Sequence, residues 1–385
     1  MKTYKPTIIK HVKVCGRPDT YCGHPVEAGE IFNFGNGEIA FMHLHTDHVT
    51  YDGTTCLMHG QTGIHGNAKV LLTRSFDGGL TWSEKDQSVV FDQGAPIEEQ
   101  EAILSRRITE EESAPATENT IFHFGKSFCG PYLSDGKRRE IMPYAVRSED
   151  KGYTWSEKVS IPDNVGFTFL QASSTIIRQG NRWLKPFEVS ISPEADNCTY
   201  STGPVVLYHA ALYSSENNGV TWQFVSEMAR DPYNESSFGY CQTLDLGNGH
   251  LLTTLNCWRG RYENTRWISV CHSYDNGLNW TEPKRIQSYG ISGYPLLLKD
   301  GRIVIIYVKR YPASVRGVYA MVSEDHGESW SEEFALRTDA SSADIGYPVA
   351  IQTDNGNIFT GYYYTSESNQ EAPAARYIAG TIFTI

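Results

Sequence analysis

The chain has 385 residues with 33 Lys and Arg against 45 Asp and Glu, a formal charge of −12, and its composition is 40% hydrophobic and 20% charged. That balance argues against a nucleic-acid or anionic-membrane surface as a global property, although a local basic pocket is compatible with it. With 34 Gly and 23 Tyr the composition leans toward strands and turns, and the length suits either two average domains or one large all-β domain.

The first segment, MKTYKPTIIKHVKVCG, contains no apolar stretch of signal-peptide length, and no run of 18 apolar residues follows anywhere, so neither export nor a membrane span is expected. Eight cysteines, at 15, 22, 56, 129, 198, 241, 257 and 271, are scattered without paired metal-ligand spacing. A chain of this length needs no disulfides to supply a core, so reduced thiols and a cytoplasmic location are expected.

PTIIKHVKV at 6–14 reads as a lone strand. After it comes a hairpin pattern, EIFNFGNGEIAFMHL at 30–44, in which two apolar strands flank an Asn/Asp-Gly type turn. The same pattern returns as QTLDLGNGHLLTTLN, YPLLLKDGRIVIIYV and YPVAIQTDNGNIFTGYYY at 242–256, 294–308 and 347–364. Between the hairpins lie five octets: SFDGGLTW at 75–82, SEDKGYTW at 148–155, SENNGVTW at 215–222, SYDNGLNW at 273–280 and SEDHGESW at 323–330. Each keeps Ser first, Asp or Asn third, Gly fifth and Trp eighth, and each follows an alternating strand such as AKVLLTRS. The repeating unit is therefore strand, tight turn, strand, longer loop, strand, octet, strand, which is a four-stranded propeller blade. Five units carry an octet. The sixth, 347–385, ends in RYIAGTIFTI without one, and 6–14 is predicted to supply its missing strand. Closing the ring in this way removes exposed sheet edges. The acidic segment 92–118 is the largest insertion and is expected to be a short helix or a solvated loop.

Within an octet the Asp accepts backbone N–H groups, the Gly takes φ > 0 and the Trp buries a large apolar face, so these turns are expected to hold blades together and touch no substrate. The pattern resembles the Asp box, or BNR repeat, of sialidases. Five boxes plus the closure scheme are similar to the six-bladed sialidase propeller over nearly the whole chain. That resemblance implies an all-β fold in a single domain spanning 1–385, and a carbohydrate-active enzyme that needs no cofactor.

If each octet marks one face of its blade, the opposite face carries the entries to the innermost strands and the loops between second and third strands. Those segments contribute His24, Glu27, Tyr240, Tyr294 and Tyr347 at the entries, and His45, His65, Arg259, Arg261, Arg310 and Arg316 in the loops, with Arg17 close by. Arginine forks match carboxylates and aromatic rings stack on sugars, so the set suits a polar, partly anionic glycan. The sialidase resemblance implies a three-arginine clamp, an Asp acid/base and a Tyr nucleophile paired with a Glu. Here Glu27 stands at the first family arginine, His65 at the aspartate and Tyr240 at the glutamate. Arg259 or Arg261 and Arg310 or Arg316 are candidates for the other arginines, Arg17 for the first, and Tyr294 or Tyr347 for the nucleophile. The expected function is an exo-acting glycoside hydrolase that removes a terminal, acidic sugar, with Glu27, His65, Tyr240 and Tyr294 as catalytic candidates. A uronate lyase with a His or Tyr base and a non-catalytic glycan-binding propeller are the alternatives. The histidines 24, 43, 45, 48, 59 and 65 match no compact metal motif, and no metal is expected.

Overall fold

The computed structural model describes residues 2–25, 29–47, 68–128, 141–167, 169–191, 207–259, 266–366 and 376–385. Six antiparallel sheets follow one another along the chain, the blades of a six-bladed β-propeller. They fall into two compact units, Met1–Phe91 with Gly290–Ile385, and Asp92–Tyr289.

The first unit holds three blades. In one, Tyr21–Gly23 and Ile31–Gly35 both pair with Glu38–Thr46, followed by Lys69–Ser75 and Gln87–Asp92. Another runs Ile291–Leu297, Ile303–Lys309, Gly317–Ser323 and Phe334–Arg337. The third is the shared blade that the sequence predicts: Gly346–Gln352, Ile358–Tyr364 and Tyr377–Thr384 are completed by Thr7–Cys15, in a register from Thr7↔Thr384 to Cys15↔Ile378.

The second unit also holds three blades. Phe169–Ala172 and Ile177–Gln179 share an inner position against Arg182–Ser190, with His209–Ser215 and Gln223–Ala229 outside them. Ser236–Asp245, Leu251–Arg259, Trp267–Ser273 and Lys284–Gln287 form a regular four-stranded sheet. The remaining blade departs from the predicted unit, with three strands among the described residues, Ile121–Phe128, Ile141–Ser148 and Val159–Ser160. Residues 113–117, which lead into it, form no ladder. Pro115 has no N–H to give, and guanidinium groups take the carbonyls instead: Arg147 donates to Ala114 at 2.5 Å, and Arg178 donates to Ala116 and Thr117 at 2.7 Å each. The acidic insertion before it contains one helix, Ile97–Ser105, and a single 3-10 turn, Glu110–Glu112.

Four octets connect the third and fourth strands of their blades, and the second, 148–155, connects the last two strands of the three-stranded blade. In the first, Ser75 Oγ donates to Asp77 at 2.8 Å and accepts the Gly79 N–H at 2.9 Å. The Asp77 carboxylate accepts the Thr81 N–H at 2.9 Å and its hydroxyl at 2.6 Å, and the Trp82 indole donates to the Gly79 carbonyl at 2.8 Å. The fourth position varies in sequence, yet its backbone is left-handed in every octet, at Gly78, Lys151, Asn218, Asn276 and His326. The fifth residue has positive φ as well, and Gly79, Gly219 and Gly277 lie hard against an adjacent blade. A Cβ on Gly219 would come within 2.3 Å of the Phe122 ring, so glycine is required there on both counts. Trp222 is 1% exposed and meets Phe122 and Phe124 edge-to-face, whereas Trp82, Trp155, Trp280 and Trp330 are half-buried.

Trp222→Ala is accordingly expected to destabilise the protein by about 3–5 kcal/mol, as large aromatic truncations in cores do, and by more than Trp330→Ala. Denaturant unfolding of the two variants gives the ranking, and an equal or reversed order would contradict it. A second expectation concerns acid. The Asn279 amide donating to its carboxylate, with the Asn279 N–H, holds Asp275 down to about 2, against about 3.9 in an unfolded chain. A depressed folded-state value means stability that is full above the unfolded value and is lost as pH falls toward the folded one. Asp275→Asn should therefore remove part of the acid sensitivity between about pH 4 and 2. Asn217 already serves neutrally in the same position of the third octet, accepting the Thr221 N–H at 3.0 Å. Urea unfolding of both proteins at pH 7 and pH 3 checks this, and parallel losses would count against it.

Candidate functional site

Within each complete blade the entry of the innermost strand pairs with the exit of the second, as in Ser236↔Arg259 and Gly346↔Tyr363, at the end of the blade opposite the octet. At that end three inner strands are bulged, with register shifts at Gly239/Gln242, Ile291/Tyr294 and Gly346/Val349. Each bulge carries a non-glycine residue in the left-handed region: Tyr240 at φ 45°, Ser292 at 54° and Tyr347 at 51°. His24, next to the short strand Tyr21–Gly23, has φ 54°. Left-handed backbone is uncommon for any non-glycine residue and an outlier for ones as bulky as Tyr240 and Tyr347, and bulges re-aim side chains beside functional sites.

In the first unit these entries meet the ends of second strands to build a polar aromatic cluster. The His24 ring stacks on Tyr363, with centroids 5.5 Å apart, and tilts against Tyr347 at 5.0 Å. Arg310, 7% exposed, donates from Nε to the Ile345 carbonyl at 2.9 Å and from Nη2 to the Tyr363 hydroxyl at 2.5 Å. Beneath lies Arg376, fully buried. Its Nε donates to the Cys22 carbonyl at 2.7 Å, its Nη1 pairs with Asp344 at 2.9 Å, and its guanidinium lies 3.6 Å from the Tyr21 ring centroid and 4.2 Å from that of Tyr363. The Tyr21 hydroxyl donates to the other Asp344 oxygen at 2.8 Å. Burial pushes the Tyr363 phenol upward, so it stays protonated.

In the second unit the centre is Glu188, a 7% exposed carboxylate on Arg182–Ser190. Its Oε2 accepts the N–H of left-handed Tyr240 at 3.0 Å. A Cβ on Gly239 would lie 2.1 Å from that oxygen, so the glycine is what lets the carboxylate sit against the bulge. Aromatic rings flank the turn: Trp258 lies 6.5 Å from Tyr240 and 5.8 Å from Tyr208, and Arg266 stacks over Trp258 at 4.9 Å. A buried carboxylate beside indole and phenol rings offers proton transfer next to a surface on which a sugar can stack.

The sequence-predicted residues divide among several places. His24, Tyr347 and Arg310 come together in the first unit, and Tyr240 joins Glu188 in the second. Tyr294 is 5% exposed, and burial, with the charge of Glu30 adding, raises its phenol, which disfavours the phenolate a nucleophile would need. Arg316 is pinned on backbone, donating to the carbonyls of Arg310 and Ser341 at 3.2 and 3.4 Å. Arg259 is largely exposed, pairing with Glu235 at 2.8 Å and donating to Ser236 at 3.3 Å. Arg17 is engaged by Asp47, Glu84 and Asp19 at 2.6, 3.2 and 3.4 Å. His45 turns to Asp47 and Cys22, at 3.1 and 3.2 Å. Glu27, His65 and Arg261 lie outside the described residues, as do His48 and His59.

Sequence reasoning missed Glu188, Arg376, Asp344, Tyr21 and Tyr363. Two of them had a signal. Glu188 is the lone acid within the strand KPFEVS, and Arg376 immediately precedes the third strand of its blade, as Arg266 and Arg316 do in theirs.

A six-bladed antiparallel propeller whose blades carry Ser-x-Asp or Ser-x-Asn turns between their last two strands defines an Asp-box propeller. The chain belongs to the BNR repeat-like domain family, which matches residues 66–360. None of the curated protein sequences matches it. In fold it is similar to a protein of unknown function from Dyadobacter fermentans, with a TM-score of 0.71 and 18% identity over 99% of both chains. It is also similar to the α-L-arabinofuranosidase of Fusarium graminearum, with a TM-score of 0.60 and 13% identity over 97% of both chains. A Hadza microbial sialidase superposes with a TM-score of 0.57 at 14% identity, covering 94% of this chain and 65% of that one. At these identities the likeness establishes the fold.

Arg376 generates a third prediction. Removing one partner of a buried ion pair strands the other, so Arg376→Met should destabilise the protein by about 3–5 kcal/mol. Arg376→Lys should recover little of this, since an ammonium cannot reach the Cys22 carbonyl and Asp344 in the same planar fork. Denaturant unfolding decides, and a lysine variant as stable as wild type would show that charge alone suffices.

Proposed function

We propose that this protein is an exo-acting glycoside hydrolase that removes a terminal sugar from a glycan. The observation that carries the reading is Glu188, a buried carboxylate seated on the strained Gly239–Tyr240 turn beside Trp258 and Tyr208. In the proposal Glu188 acts on the glycosidic bond as acid/base or nucleophile, the two roles open to a carboxylate in such enzymes. Tyr240 and Trp258 supply the stacking surface. Within the first unit, taken by itself, Arg310, His24 and Tyr347 are a second set of proposed carbohydrate contacts, and the Arg310 guanidinium suits an acidic sugar. Glu27 and His65 remain proposed proton-transfer groups and Arg261 a proposed contact, while Tyr294, its phenol raised by burial, is not proposed as the nucleophile. The similar folds support the reading in kind: one is an arabinofuranosidase, also seen with arabinobiose, and another is a sialidase.

The test is a panel of aryl glycosides and uronate-containing oligosaccharides, read for released sugar and for the absorbance of an unsaturated product. With an active substrate in hand, Glu188→Gln is expected to lower kcat by about 10²–10⁴-fold while the melting temperature stays near that of wild type. Hydrolysis unaffected in Glu188→Gln would remove Glu188 from the mechanism. An unsaturated product would replace hydrolysis by elimination, and binding without turnover of any substrate would leave a glycan-binding propeller.

A further inference from the structure

We infer that Cys15, Cys22, His43 and His45 form a structural zinc site that clasps the N-terminal closing strand to the first blade. Cys15 is the last residue of Thr7–Cys15, Cys22 lies in the inner strand Tyr21–Gly23, and His43 and His45 lie two apart on Glu38–Thr46, on one face of that strand. The pairing Cys22↔His45 sets two of these residues directly opposite each other. All four side chains are buried, at 4, 0, 0 and 5% exposure.

The ligand atoms converge. Cys15 Sγ lies 3.9 Å from Cys22 Sγ and 3.4 Å from His43 Nε2, and Cys22 Sγ lies 3.2 Å from His45 Nδ1. The ligand atoms of Cys15, His43 and His45 all fall within 4.8 Å of one another. A tetrahedral zinc with Zn–S of about 2.3 Å and Zn–N of about 2.0–2.1 Å has edges of about 3.4–3.8 Å, close to the three edges measured here. The outer nitrogens are already engaged. His43 Nδ1 faces the Leu44 carbonyl at 3.2 Å, to which it donates, which leaves Nε2 with the lone pair. His45 Nε2 faces Asp47 at 3.1 Å, and Arg17 holds that carboxylate in turn at 2.6 Å. A histidine whose far nitrogen is bound by a carbonyl or carboxylate is the usual support of a metal ligand. Binding would release the two thiol protons to solvent, and Zn²⁺ with two thiolates is neutral overall, which suits a site this deeply buried. Two thiolates and two imidazoles fit zinc and leave no open position, so the role is structural. The competing arrangement is metal-free, with thiol and Thr73 hydroxyl groups hydrogen-bonded to the imidazoles; Thr73 Oγ1 lies 2.9 Å from His43 Nε2.

The experiment is elemental analysis of purified full-length protein after dialysis against zinc and then metal-free buffer. About one zinc per chain is expected, together with a thiolate-to-metal charge-transfer spectrum of tetrahedral cobalt after Co²⁺ exchange, and a melting temperature lowered by 1,10-phenanthroline. Cys22→Ser and His45→Gln should each lose the stoichiometric metal. Should either variant fail to fold, the cobalt spectrum of the wild-type protein still decides. Substoichiometric zinc with no cobalt spectrum and both thiols titrating as free would overturn the inference. So would a Cys15–Cys22 disulfide, seen as the loss of two hydrogens in the intact mass. Metal content is read without any sugar substrate, so the outcome stands apart from the hydrolase reading.

Discussion

The constraint on which the blades depend is the demand of five tight turns for hydrogen-bond acceptors. Between the last two strands of each octet-bearing blade the backbone runs through two successive left-handed residues, and such a turn leaves N–H groups with no strand neighbour to take them. One carboxylate or amide oxygen at the third position and one serine hydroxyl at the first collect those groups, an arrangement that a buried backbone requires. Once the turn is satisfied internally, the fifth residue can press against an adjacent blade and the eighth can roll its indole over the seam. At the Trp222 seam the rings of Phe122 and Phe124 meet the indole edge-to-face, which fixes blade against blade more specifically than area burial alone.

At the other end of each blade the problem is reversed. There the inner strands do not enter smoothly: three are bulged, and each bulge places a non-glycine residue where its backbone is strained. Strain of this kind persists only where surrounding contacts over-determine it. In the first unit those contacts are the buried Arg376–Asp344–Tyr21 network and the stacked His24 and Tyr363 rings. In the second they are the Glu188 carboxylate and the Trp258 ring. The octets make the blades rigid, and the bulges use that rigidity to hold polar side chains where a flexible loop could not.

The closing strand ties the two ends of the chain into one blade, and it also has a local consequence. Its last residue, Cys15, arrives beside the entry of the first blade, where Cys22 bonds through its main chain to Arg376. The seam of the first unit and its polar cluster are thus one connected piece of structure, separated by a single residue from the left-handed His24.

Much of the fold was readable from the chain because its signals are local. The octets repeat at fixed internal positions, the Asn/Asp-Gly hairpins alternate with period two, and the unmatched strand at 6–14 had one partner to find. Local spacing also located the ends of the blades where His24, Arg310, Tyr240 and Tyr347 would emerge. It could not show that residues 113–117 would forgo a ladder, because the guanidiniums that replace it come from Arg147 and Arg178 on other strands. Nor could it distinguish the strained residue in three similar Gly-Tyr entries, which is tyrosine in two and Ser292 in the third. Glu188, Arg376 and the cluster of Cys15, Cys22, His43 and His45 look unremarkable in sequence. Their chemistry arises from neighbours that only strand pairing and blade packing supply, so it was decided by the tertiary structure alone.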